Sequence, residues 1–218
     1  MAHPKALKFY SPKEELINIR SHIVGLILST IALVLLVLKA IQFGDLLHLL
    51  SFSVFGISLI TLYTASTFYH SATIPKKRIK LRIVDHCSIY ILIAGSYTPF
   101  NLLVIQGDMG WVLFIITWSL ALIGITLKLF FTGRFNFIST LMYILMGWML
   151  VVAIKPLTVN FSVDGIFWIF TGGGFYTSGA IIYGIKKIKF NHAIFHFCVL
   201  LGSLSHFIAV YAYILPFK

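Results

Sequence analysis

Seven apolar runs, each long enough to form a membrane-spanning helix, occupy most of this 218-residue chain. A transmembrane helix needs about 20 consecutive apolar residues, and the polar stretches between these runs are short. The sequence therefore predicts an all-α polytopic membrane protein, with one seven-helix transmembrane domain over residues 21–218. The predicted spans are residues 21–41, 46–69, 83–105, 111–131, 137–154, 165–185 and 193–215.

Composition excludes a soluble domain. Hydrophobic residues make up 59% of the chain and charged residues only 11%, and the mean hydropathy is +0.97. Soluble domains carry about a quarter charged residues. The net charge of +11 would suggest nucleic-acid binding in a soluble chain, but here the basic residues fall between apolar runs, so no nucleic-acid partner is expected. Cys87 and Cys198 form no metal-ligand pair by spacing and are expected to be buried free thiols.

Lysine and arginine residues fall unevenly on the two sides of the predicted membrane. Fourteen lie on the side of the N-terminus and three, Lys39, Lys155 and Lys218, lie on the other side. The positive-inside rule then predicts a cytoplasmic N-terminus and an external C-terminus. The fourteen are Lys5, Lys8, Lys13, Arg20, Lys76, Lys77, Arg78, Lys80, Arg82, Lys128, Arg134, Lys186, Lys187 and Lys189.

The first 20 residues are predicted to form a cytoplasmic tail. Ser11, Pro12 and Glu14 have the pattern of a capped helix start, in which the serine caps the first turn and the glutamate side chain returns to it. A short amphipathic helix ending near Arg20 is expected to lie along the membrane surface. The alternative is a frayed polar tail, because capping-box patterns also occur by accident.

Two features inside the predicted spans bear on helix geometry. Pro99 predicts a kink in the third span, because proline removes a backbone hydrogen bond. Gly172, Gly173 and Gly174 resemble a phosphate-binding loop only superficially. They fall within a span, and they predict close helix packing.

His192 and His196 open the last apolar run, four residues apart. On a helix this spacing turns the second ring by about 40° and raises it by about 6 Å, so both rings can share one cation. His70 ends the second span on the same predicted side of the membrane and supplies a third ligand. Three imidazoles can hold a zinc ion and leave its fourth position open. A lone histidine in a membrane is more often a packing or hydrogen-bonding residue. His22 and His206 are interpreted as internal hydrogen-bonding residues, with a role in a cavity or proton path as the alternative.

Asp85 lies two residues into the third span, at the level of these histidines. A buried carboxylate is costly unless it is paired or hydrogen-bonded, and a water held by zinc meets that need. Asp85 is therefore the candidate general base, although a lone aspartate at a helix start can also be a cap. Ser66, one turn before His70, could hydrogen-bond a ligand ring or this carboxylate, or could serve only in helix packing.

These residues resemble a known family. Ser66 and His70, then Asp85, then His192 and His196 match motifs of the progestin and adipoQ receptor family, and closely those of its bacterial branch, the hemolysin III proteins. Further matches lie along the whole chain. They are Glu15, Asn18 and His22, the segment Gly95, Ser96, Tyr97, Thr98 and Pro99, and the group Gly173, Gly174, Tyr176 and Gly179.

The resemblance implies seven helices, an internal N-terminus and a location in the bacterial plasma membrane. It also implies a zinc ion near the cytoplasmic side, bound by the three histidines, with Asp85 reaching it through water. Members of the family and its wider superfamily have been described as receptors, lipid amide hydrolases, cytolysins and regulators of membrane lipid state.

Three functions remain open at this stage. The first is a zinc-dependent hydrolase of a lipid amide or ester, with Asp85 as base and membrane lipids as partners. The second is a non-catalytic membrane sensor in which zinc joins the helices structurally. The third is a pore or cytolysin, which ranks last because the chain lacks a row of charged residues along several spans.

Overall fold

The computed structural model describes residues 9–131 and 136–215. Seven helical spans in this part are long and apolar enough to cross a membrane, as the sequence predicts. The basic residues Lys5, Lys8, Arg134 and Lys218, which entered the charge count, lie outside the described residues.

Within the described residues, eight α-helices follow one another with short connections. They are α1 (Pro12–Phe43), α2 (Leu46–Ser71), α3 (Pro75–Pro99), α4 (Gly107–Phe131), α5 (Asn136–Gly147), α6 (Ile154–Asn160), α7 (Val163–Gly184) and α8 (Asn191–Ile208). A 3₁₀ segment, Met149–Ala153, joins α5 to α6 within the fifth span. Helices that follow one another in sequence pack together, and α8 packs on α1, which closes the bundle.

The first helix is longer than the sequence analysis expects. Ser11 caps it, since its hydroxyl accepts a hydrogen bond from the Glu14 amide at 3.3 Å. The expected return contact is made by the next residue, because Glu15 Oε1 accepts from the Tyr10 amide at 3.2 Å. From Pro12 the helix continues without a break to Phe43, so the expected separate surface helix is instead the first turns of α1. No glycine or proline stands between residues 12 and 25 to interrupt it.

The distortion expected at Pro99 takes the form of a change of helix type. After Pro99 the chain continues as a π-helix, Phe100–Ile105, in which the Gln106 amide donates to the Asn101 carbonyl at 3.1 Å. Proline cannot donate to the preceding turn, and a wider helical turn accommodates the missing hydrogen bond. A second π-helix, Ala209–Ile214, extends α8.

Close helix contacts depend on small residues. Gly25 of α1 lies directly against the ring of Tyr63, and Gly95 of α3 lies directly against Ser58; a Cβ atom at either glycine would overlap these neighbours. The packing expected for the glycine group of α7 holds for Gly172, which lies against the His206 ring, whereas Gly174 has no atom within 4 Å of an added Cβ. Helices α1, α2 and α3 are thereby held at fixed separations.

We predict that the end of the bundle where α2 ends and α8 begins faces the cytoplasm. With Cys87 and Cys198 replaced by alanine, a single cysteine introduced at Asp108 should react with a membrane-impermeant maleimide in intact cells. A cysteine introduced at Lys187 should react only after the membrane is opened. Both positions are exposed, so accessibility is set by the side of the membrane. Labelling at position 187 but not at position 108 in intact cells would contradict this topology and indicate the opposite one.

Candidate metal centre

Three histidines converge at one end of the bundle, which we call the histidine end. His70 lies in the last turn of α2, and His192 and His196 lie in the first turns of α8. The Nε2 atom of His192 is 3.0 Å from Nε2 of His70 and 3.1 Å from Nε2 of His196. All three side chains are buried. The spacing of four residues on α8 thus places both rings on one face, toward α2.

The donor set fits a metal ion. Three nitrogen ligands about 2.0 Å from one tetrahedral ion stand about 3.3 Å from each other, close to the separations observed. The ligand atoms of the three residues all lie within 4.8 Å of one another. Bare lone pairs at this distance repel each other, and a cation between them removes that repulsion. Among the described residues this is the group of histidine, cysteine or acidic side chains that could hold a metal ion.

Glu15 orients the His70 ring. Its Oε2 atom accepts a hydrogen bond from Nδ1 of His70 at 2.7 Å. The proton of that imidazole therefore sits on Nδ1, and the lone pair of Nε2 is directed at the other two histidines. A carboxylate behind a ligating imidazole fixes its tautomer and raises its basicity.

Arg78 connects this carboxylate to the end of α2. Its guanidinium is buried and forms an ion pair with Glu15. The same guanidinium donates to the carbonyl oxygens of Tyr69 and His70 at 3.3 Å each and of Ala72 at 3.1 Å. Arg78 thus satisfies carbonyl groups at the end of α2 that have no helical partner, and it holds Glu15 beside His70.

Two aromatic residues before α1 cover the centre. The Tyr10 ring stacks on His192, with ring centroids 4.5 Å apart. The Phe9 ring lies 4.5 Å from the Arg78 guanidinium carbon. Burial raises the pKa of Tyr10 far above its ordinary value, so its hydroxyl stays protonated and is available to the Tyr183 side chain. The histidines are therefore shielded from the surrounding water on this side.

Asp85 and Ser66 lie together beside the histidines. The Ser66 hydroxyl is within hydrogen-bonding reach of the Asp85 carboxylate, which also lies within electrostatic range of His70. Both side chains are buried. Ser66, Asp85, His192 and His196 line one cavity, whose volume is about 160 Å³. All five residues singled out from the sequence thus gather at the histidine end.

The cavity continues away from the histidines into an apolar region between α3, α5, α7 and α8. Leucine, isoleucine and aromatic side chains form its walls there, including Ile89, Ile93, Trp148 and Phe195. A polar group of residues at one end and an apolar remainder are typical of a site for an amphipathic ligand.

Two further histidines of the spans, His22 and His206, differ in their contacts. His22 was expected to be a hydrogen-bonding residue, but neither ring nitrogen has a partner among the described residues. Its ring instead stacks on His196 with centroids 3.6 Å apart, and so it limits the rotation of that ring. His206 does form the expected internal hydrogen bond, between Nε2 and the Ile169 carbonyl, with 3.3 Å between the atoms.

Sequence reasoning overlooked how Glu15, Arg78 and Tyr10 contribute to the centre. Glu15 was noticed only as part of a family motif, and Arg78 only as one of a run of basic residues. Within that run nothing distinguishes the buried arginine from its exposed neighbours. The available signal is a glutamate in the first turn of the helix that leads into the first span, because such a charge near a membrane needs a partner.

Fold and site together define the class: a seven-helix membrane protein with a buried three-histidine centre that could hold a metal ion. Residues 10–207 match the sequence profile of the family described as haemolysin-III related, and the chain belongs to this family.

Two relatives align along nearly the whole chain. A protein of Bacillus subtilis (strain 168) named hemolysin-3 homolog is 45% identical over 204 residues, which are 94% of this chain and 96% of the relative. A protein of Bacillus cereus named hemolysin-3 is 46% identical over 204 residues, which are 94% of this chain and 93% of the relative. The spans and these relatives identify a multi-pass bacterial membrane protein.

We predict about one divalent metal ion per chain in protein purified without chelator. His196→Ala should reduce the metal content to near zero, because two imidazoles bind too weakly to survive purification. His206→Ala is the matched control, a buried histidine of the same helix outside the centre, and it should retain its metal. Elemental analysis by mass spectrometry measures both. Equal metal content in the two variants would contradict the assignment of ligands.

A second prediction concerns Glu15. Glu15→Gln keeps a hydrogen-bond acceptor for His70 but removes the negative charge, so metal affinity should fall by about tenfold or more. Competition with a fluorescent chelator measures the affinity. Glu14→Gln changes the neighbouring carboxylate, which lies outside the His70 contact, and should leave the affinity within about twofold. Unchanged metal affinity in Glu15→Gln would contradict the role of Glu15 in orienting His70.

Proposed function

We propose that this protein is a zinc-dependent hydrolase of a lipid amide or ester. The observation that carries the proposal is the shared cavity: two of the candidate ligands, His192 and His196, line the same largely apolar space as Asp85 and Ser66. A structural metal site is normally closed by its ligands, whereas a catalytic site keeps one position open toward the substrate.

Three neutral imidazoles are a ligand set of catalytic zinc sites, and zinc bound there would lower the pKa of a coordinated water to about 7 and polarise a substrate carbonyl. Glu15 supports this by holding the His70 tautomer that presents Nε2. Because an acyl chain needs an apolar surface of its own length, the region of Ile89, Ile93 and Trp148 is the place for it.

The chain's own residues then handle the proton. The Asp85 carboxylate accepts a proton from the attacking water as the oxygen bonds to the acyl carbon. It returns this proton to the amine or alcohol that leaves when the acyl bond breaks. Ser66 donates to Asp85 and keeps the carboxylate turned toward the cavity. The products are a fatty acid and the released headgroup.

The test is hydrolysis by purified, zinc-loaded protein in nanodiscs. Release of fatty acid from ceramide and from acyl-lipid esters is followed by mass spectrometry. Asp85→Asn should lower the rate by about 10²-fold or more, because it removes the base while zinc content stays at one per chain. Asp108→Asn, a change of the same kind at an exposed acid of α4, should leave the rate unchanged. Zinc-loaded wild type that hydrolyses none of these lipids would contradict the proposal.

A second function is favoured by a separate observation. The histidine centre joins α2 and α8, and Glu15 brings in α1, so metal binding couples the packing of three helices. In a non-catalytic membrane sensor this coupling would be the purpose of the metal. Loss of metal would then lower the thermal unfolding temperature, and Asp85→Asn would leave the cellular response intact. The relatives are named hemolysins, and lysis stays the third hypothesis for this chain.

A further inference from the structure

A second cluster of polar side chains lines the cavity, and this cluster takes no part in the proposed reaction. Its members are His86 of α3, Lys128 of α4 and the hydroxyl residues Ser139 and Thr140 of α5. We call these four residues the basic subsite. Lys128 is 3% exposed, so its ammonium group is enclosed by protein.

Helix register places the basic subsite at a defined level. Helix α4 follows α3 through a tight connection and runs antiparallel to it, with Gly124 directly against the Tyr90 ring. Lys128 lies one turn after Gly124, and His86 lies one turn before Tyr90, so the two basic side chains are level with each other. The contact from Cys87 Sγ to the Ile125 carbonyl, at 3.9 Å, agrees with this register. The juxtaposition is therefore built by the packing of two helices.

The charge of this wall favours an anion. Lys128 and Arg82 both lie within electrostatic range of His86. Among the described residues that line the cavity, Asp85 is the acidic one, and it is engaged by Ser66. A positive charge enclosed at the edge of a membrane attracts a negatively charged group strongly, because the low dielectric screens it poorly.

The neighbouring surfaces suit the two ends of an amphipathic molecule. Tyr143 ties α5 to α3 beside the subsite, since its hydroxyl donates to the His86 carbonyl at 3.1 Å. The hydroxyls of Ser139 and Thr140 stand on the same helix. One to two turns further into the bundle, Ile89, Ile93 and Ile144 make the wall apolar. Basic, hydroxyl and apolar side chains thus line one continuous space.

We propose that the basic subsite binds the anionic headgroup of an acyl lipid whose chain occupies the apolar part of the cavity. This deepens the proposed hydrolase function, and its role in catalysis rests on that function. Asp85 and His86 are adjacent on α3, so the histidine centre and the headgroup site lie side by side at one depth. The bond that reaches the histidine centre is therefore the amide or ester next to the headgroup. The substrate class is an acyl lipid that carries a phosphate or another anion beside its acyl linkage.

Native mass spectrometry of the full-length Asp85→Asn protein tests binding without turnover. The probes are 1-oleoyl lysophosphatidic acid, monooleoylglycerol, which has the same chain and no charge, and inorganic phosphate. The lysophosphatidic acid should bind about tenfold more tightly than monooleoylglycerol, and inorganic phosphate should compete only weakly because it lacks the chain. Equal affinity for the two lipids would overturn the proposal. Phosphate that binds as tightly as the lipid would assign the subsite to a free anion and overturn it as well.

Variants locate the headgroup. In the Asp85→Asn protein, a second substitution, Lys128→Met, should remove the preference for the anionic lipid. Lys128→Arg should keep this preference to within about threefold. Lys39→Met is the matched control, since Lys39 is equally buried but lies at the opposite end of the bundle, where it donates to the Tyr211 carbonyl. An unchanged preference in Lys128→Met would overturn the proposal. If Lys128→Met fails to fold, His86→Gln takes its place, with a smaller loss expected.

These experiments distinguish failure of the hydrolase proposal from failure of the subsite proposal. If protein with Asp85 intact binds the anionic lipid selectively but releases no oleate from it, the hydrolase proposal fails and the subsite stands. If oleate is released equally from both lipids and binding shows no preference, the subsite proposal fails and the hydrolase stands.

Discussion

Three buried imidazoles, with Nε2 of His192 about 3 Å from Nε2 of both His70 and His196, are the constraint on which the rest of this structure depends. Uncompensated, they would repel one another in a medium that screens charge poorly. The surrounding residues hold the three rings in this arrangement. Glu15 fixes the proton of His70, Arg78 fixes Glu15 and the end of α2, and Tyr10 and His22 stack on the remaining two rings. Because Glu15 belongs to α1, the first helix has to start before the membrane span and reach the centre as one rigid element.

The bundle divides into a tightly packed side and an open side. Between α1, α2 and α3, glycines such as Gly25 and Gly95 bring helix backbones into direct contact with side chains of their neighbours. On the other side α5 contacts α3 through Met142, Tyr143 and Gly147, and the cavity lies between these helices, α7 and α8. His70 stands on α2 of the packed side, whereas Ile144 and Trp148 of the apolar wall belong to the open side, so a fixed ligand and a cavity occupy one small protein.

Much of this architecture could be predicted from local sequence patterns. Run length predicts the spans, the spacing of His192 and His196 predicts a shared helix face, and the side to which each span leads predicts that His70 meets them. Contacts that depend on the rotation of one helix against another could not be predicted in this way. The pairing of Glu15 with His70 spans 55 residues, and Arg78 is buried while the lysines around it, Lys76, Lys77 and Lys80, are exposed. The π-helix after Pro99 and the uninterrupted α1 have local causes, namely the proline and the absence of glycine or proline between residues 12 and 25, but neither pattern predicts the helix type or the helix length that results.

The central claim is that His70, His192 and His196 bind one zinc ion and leave a coordination position open toward Asp85. X-ray absorption spectroscopy at the zinc edge, on purified protein loaded with one equivalent of zinc, tests it most directly. The account predicts the multiple-scattering signature of three imidazoles at about 2.0 Å and one further oxygen ligand. Replacing Asp85 by asparagine should leave the three-imidazole signature in place. Two or fewer imidazoles, sulfur ligands, or a spectrum of zinc surrounded only by water would contradict it.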